Sequence, residues 1–138
     1  MSQESRQFVF TLSLQALRRQ KAPAFNETQG GCAYRDQHGN RCAIGALLPD
    51  SLLNTLQGAR MTVGFVGLPE TIKQFLLALC PDIEFLTTLQ EMHDNAAMPD
   101  LETSIGFQSD AETFPERLEQ NARWLAEEYG LEVPEVEL

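Results

Sequence analysis

The stretch "CAYRDQHGNRCAIGALLPD", residues 32–50, decides the fold class. Two short arms, Cys32-Ala33-Tyr34-Arg35 and Arg41-Cys42-Ala43-Ile44, flank "DQHGN", where Gly39 supplies the positive φ that a tight turn demands. The pattern predicts a small β-hairpin over residues 32–44. Its return arm runs directly into a helix start at Pro49-Asp50-Ser51, with Leu52, Leu53 and Leu56 behind it and Gly58 as the stop.

Working outward, everything else reads as helix. Phe10, Leu14 and Leu17 recur at i, i+4 and i+7 between Glu4 and the bases Arg18, Arg19 and Lys21, an order that suits the helix dipole. Phe8, Phe10, Leu12 and Leu14 also alternate with period two, but the length of the segment and Pro23 favour one helix over one strand. Downstream, Pro69 opens a helix of about 69–80 carrying Ile72, Phe75, Leu76 and Leu79, which Pro81 ends. Asp82 caps the next, with Ile83, Leu86, Leu89 and His93 on or beside its inner stripe. Residues 95–110 show no period. The last helix, about 111–129, sets Phe114, Leu118, Ala122, Leu125 and Tyr129 on one face and Glu112, Glu116, Glu119, Arg123 and Glu127 on the other; Gly130 stops it. The expected architecture is α+β: a mostly helical single domain over residues 1–131, about five helices with one small β-hairpin, followed by a short acidic tail at 132–138.

Charge divides the chain. Of the net −10, residues 1–81 hold eight Lys/Arg against five Asp/Glu, while residues 82–138 hold two arginines against fifteen acids. An acidic surface favours solubility; it also repels nucleic acid and membrane phosphates and attracts basic grooves, so the expected partner is a basic protein surface, with no direct nucleic acid and no membrane. Arg18, Arg19 and Lys21, with Arg35 and Arg41 nearby, are read as an internal docking surface for the acidic half. No run is long or apolar enough to span a membrane, and the N-terminus lacks a secretory pattern, which points to the cytoplasm and to reduced cysteines.

Cys32 and Cys42 stand at C-x9-C spacing, which gives a zinc ion two ligands, or three with the distant His93, where four are needed; a hairpin that holds a structural metal is the minor alternative. A disulfide across the hairpin fits the geometry but not the compartment. Burial as small core side chains is the plain expectation for both. The sharper alternative joins Cys32 or Cys42, as nucleophile or ligand, to His93 as base and Asp94 as its orienter, with Tyr34 and Arg35 holding an anionic substrate. Against it, His93 follows Leu89 by four and tops an apolar stripe. No catalytic residue, metal or cofactor is favoured.

The residues Cys32, Tyr34, Arg35, Gly39, Cys42, Ile44, Gly45, Leu47, Pro49 and Asp50, followed by Leu89, Gln90, His93 and Asp94, resemble a signature of small proteins scattered through phage and bacterial genomes, many without an assigned function. The closing segment from Trp124 to Tyr129 matches it loosely. The resemblance implies a phage or mobile-element setting. In that setting a small acidic protein is expected to be a non-catalytic inhibitor of a bacterial defence or nucleic-acid-handling protein. Glu112, Glu116, Glu119, Glu127 and Glu128, with Trp124 as an anchor, are its expected binding residues.

Overall fold

A computed structural model describes residues 2–24, 33–56, 68–100, 103 and 106–136. Five α-helices are present among them: α1 (Ser2–Gln20), α2 (Asp50–Leu53), α3 (Glu70–Leu79), α4 (Ile83–Ala97) and α5 (Phe114–Tyr129). Two single 3-10 turns flank α2, at Gly45–Leu47 and Asn54–Leu56.

The helix ends follow local chemistry. Asp82 accepts a hydrogen bond from the Phe85 N–H, which opens α4. Arg6 of α1 also binds Asp82. Burial pushes the Asp82 carboxyl up, but the Phe85 N–H and Arg6 together outweigh it and hold the group below its ordinary value. Thr113 opens α5 by accepting from the Glu116 N–H, with Pro115 in the first turn, and left-handed Gly130 closes it. α1 stops at Gln20 because Lys21 turns left-handed, with φ of 62°.

The core is built around α4, which buries residues on nearly every side: Phe85, Leu86, Leu89, Met92 and Ala96, but also Thr88, Gln90, His93 and Asn95. α5 packs along it through Leu118, Ala122 and Leu125, and α1 contributes Val9, Phe10, Leu14 and Leu17. The Tyr129 and Phe85 rings pack edge to face, joining the end of α5 to the start of α4.

The expected β-hairpin is not formed, and the fold is helical rather than α+β. Among the described residues there is no strand, and the arms share one antiparallel bridge, Arg35 with Arg41. The turn itself is as expected: the Asp36 carboxylate accepts from the N–H groups of His38 and Asn40, each at 2.9 Å, and Gly39 has φ of +83°. What prevents a ladder is the return arm, whose backbone is met by helix side chains instead of a strand. The Gln20 amide accepts from Arg41 N–H at 2.9 Å and donates to Arg41 C=O at 2.6 Å, as a neighbouring peptide would. Ser13 donates to Ala43 C=O at 2.8 Å, and Gln90 accepts from Ile44 N–H at 3.0 Å. From Cys42 the chain already turns helically, since Ala46 N–H bonds Cys42 C=O. With these groups satisfied, a strand partner would add nothing.

The terminal segment is also tied down. Gln7 clamps Glu132 through both backbone groups, at 2.8 and 2.9 Å, and Arg18 donates to Pro134 C=O at 2.8 Å. The tail thus follows α1 as far as residue 135.

Candidate functional site

Two places gather the residues singled out from the sequence. The first lies where the return arm, at Cys42 to Ile44, meets α4. His93 is fully buried. Its Nε2 lies 3.1 Å from the Ala24 N–H and its Nδ1 2.8 Å from Asp94 Oδ1. A backbone N–H must be accepted, so Nε2 carries the lone pair and Nδ1 the proton, which it donates to Asp94. Asp94 Oδ1 also accepts from Gln90 Nε2 at 2.7 Å, and Gln90 in turn accepts from Ile44 N–H. A continuous chain of hydrogen bonds therefore runs from Ala24 through His93, Asp94 and Gln90 to the return arm.

Cys42 is buried beside this chain with its Sγ accepting from Gly45 N–H at 3.2 Å. Burial first, and then the Asp94 charge, push its thiol up to about 12. That is the opposite of an activated nucleophile, which needs a lowered value. Tyr34 is buried too, its phenol pushed up by burial first and then by Cys42 and Asp94. Arg35 leaves this neighbourhood, donating to Asn54 Oδ1 at 2.7 Å and pairing with Asp50 at 3.8 Å. Tyr34, Cys42, His93 and Asp94 thus share one closed environment, and both His93 nitrogens are engaged in it. Cys32 lies outside the described residues. Among the described residues, no three His, Cys, Asp or Glu side chains come together as metal ligands would.

Glycine at position 45 is required by this arrangement. A Cβ there would sit 2.1 Å from the Tyr34 carbonyl oxygen.

The second place is the outer face of α5. Glu112, Glu116, Glu127 and Glu128 are exposed on or just before this helix, and Arg123 lies among them. Trp124 joins the same face with 47% of its surface exposed. Glu116 doubles as a cap partner, 2.7 Å from Thr113 Oγ1. Glu119 is turned to internal work: both its oxygens meet Arg18, each at 2.7 Å, and the Arg18 side chain is only 11% exposed. Of the basic cluster expected to dock internally, Arg18 is shown holding the acidic half; Arg35 and Arg41 instead reach Asp50.

Sequence reasoning missed the amide network. Gln20, Gln90, Asn95 and Asn121 each join separate segments through their amides. Asn121 donates to Met92 C=O and to Asn95 Oδ1, both at 3.1 Å, and Ser109 donates to the same Asn95 oxygen at 2.7 Å. The available signal was polar residues at inward helical positions, such as Ser13 between Phe10 and Leu14.

Compared with known proteins, the chain matches no family model, no curated protein and no solved structure. The phage-type resemblance therefore rests on its quoted residues alone. No described helix is long and apolar enough to cross a membrane.

Proposed function

We propose that this protein is a non-catalytic binding protein of phage or mobile-element type, acting in the bacterial cytoplasm. In this reading the outer face of α5 docks onto a basic surface of a bacterial defence or nucleic-acid-handling protein and keeps its substrate away. The observation that carries it is Trp124 standing exposed among Glu116, Glu127 and Glu128 on a helix capped at both ends. A large aromatic anchor on a face that is mostly acidic, with Arg123 as its one base, is the composition that a basic, partly apolar groove accepts. Glu119, held by Arg18, is removed from the binding set and given a positioning role.

The test uses immobilised protein, bacterial lysate and a salt series. A specific protein retained at low salt should be released at high salt, because exposed charges carry the contact. It should not be retained by the E112Q/E116Q/E127Q/E128Q variant, in which glutamine at 116 keeps the helix cap. With the retained protein purified, Trp124→Ala should raise Kd by about 30-fold. Salt-independent retention, or full retention by the glutamine variant, would sink the proposal.

A further inference from the structure

The buried His93 ring makes two bonds, and only one of them tolerates acid. Its Nδ1 donates to Asp94, while its Nε2 accepts from the Ala24 N–H. A second proton would sit on Nε2 and set one N–H against another, so that proton and the Ala24 bond exclude each other. The Nδ1 side loses nothing. Its bond to Asp94 becomes an ion pair, and Asp94 stays anchored through Gln90 to the Ile44 N–H of the return arm. Ala24 carries a second tie, since its carbonyl accepts from the Ala33 N–H at 3.1 Å. Both alanines are buried, so their backbone groups depend on these partners.

We infer that His93 is an acid-operated latch, whose second proton releases Ala24 and with it the Ala24–Ala33 pairing, while the return arm stays bound to α4. The closed latch holds one proton on the ring and the open latch holds two, so the open form gains as pH falls. The groups around the ring leave the response to Asp94. From α5 the uncharged Phe114 ring packs edge to face with His93, and Arg117 is turned to the Ala96 and Ala111 carbonyls. On the segment that carries Ala24, Lys21 is exposed. From the two arms, burial pushes the Cys42 thiol and the Tyr34 phenol up, so both stay uncharged in acid. The latch is independent of the proposed function, because His93, Asp94 and Ala24 are no part of the outer α5 face.

Amide hydrogen exchange of the full chain, read as protection relative to an unstructured peptide at each pH, tests the latch from about pH 7.5 to about pH 5, where histidine takes up its second proton. Protection at Ala24 and Ala33 should fall as pH is lowered, by up to about tenfold per pH unit. Protection at Ile44 should hold. Over the same range the imidazole nitrogen NMR signals of His93 should change from Nδ1 protonated and Nε2 bare to both protonated. In Asp94→Asn, which keeps an acceptor for Nδ1 but removes the charge, the fall should begin about one pH unit lower. In His93→Gln it should be absent, whatever the level of protection. The contrast of Ala24 with Ile44 is read in the wild type and needs no variant to fold. Constant protection at Ala24, an equal fall at Ile44, an unshifted fall in Asp94→Asn, or the same fall in His93→Gln would each overturn the inference.

Discussion

α1 holds two stretches of extended chain with the same device, and the two holds differ in their surroundings. Gln20 grips both backbone groups of Arg41, and Gln7 grips both backbone groups of Glu132. The bonds are alike in length and chemistry. Around Arg41, however, the neighbouring backbone is buried and also met by Ser13 and Gln90, whereas the Glu132 clamp is exposed. A hydrogen bond lost in a dry network leaves groups that water cannot reach; one lost at the surface is replaced by water. The return arm should therefore be rigid and costly to disturb, and the tail cheap to release.

The sharpest way to break the first region is Gly45→Ala. The added methyl meets the Tyr34 carbonyl, a backbone atom that cannot rotate away, so arm and arm must separate. We expect a loss on the order of 3 kcal/mol or more, read as a lower urea midpoint, with the larger part of it traceable to the Gln20 and Gln90 bonds. A change under about 1 kcal/mol would mean that the 33–48 segment is loosely held.

The same region explains what the sequence could and could not disclose. The caps at Asp82 and Gly130 and the turn at Asp36–Gly39 are written in adjacent residues, and they form where expected. The hairpin expectation failed because a satisfied return arm looks locally like a strand, and its true partners, Gln20 and Gln90, are remote glutamines with no strand signature. The sequence showed no period over 95–110, though residues 95–97 complete α4; beyond it, Pro99, Phe107 and Ser109 are held by Asn95 of α4 and not by an element of their own. At the acidic face, the helical wheel located Glu119 correctly, but only the packing of α1 against α5 shows that Arg18 has claimed it.

An intermediate effect should appear at alkaline pH. The Cys42 thiol, pushed up to about 12 by burial, stays protonated in the fold after the unfolded thiol has ionised, near the ordinary value of 9.0. Between these values the unfolded state binds fewer protons, so stability is full below about pH 9 and falls as pH rises through the window to about 12. Tyr34, also raised by burial, acts in the same direction. Urea midpoints measured across this range should decline steeply for the wild type and less steeply for Cys42→Ala, whose stability at neutral pH is lowered by the lost packing alone. Equal slopes would show that the thiol ionises without opening the segment.

The smallest effect compares the two glutamines directly. Gln20→Ala leaves two backbone groups of Arg41 unmatched in a half-buried setting, for a cost of about 1–3 kcal/mol. Gln7→Ala frees Glu132 into water, and Arg18 still holds Pro134, so about 0.5 kcal/mol is expected. Amide hydrogen exchange distinguishes the two. Exchange at Glu132 should accelerate in Gln7→Ala with Arg41 unchanged, because the clamps sit at opposite ends of a continuous helix and share no bonding partner. If losing Gln7 also loosened Arg41, the clamps would be one cooperative unit running the length of α1. The contrast between dry and wet holds would then give way to a single element that stands or frays together.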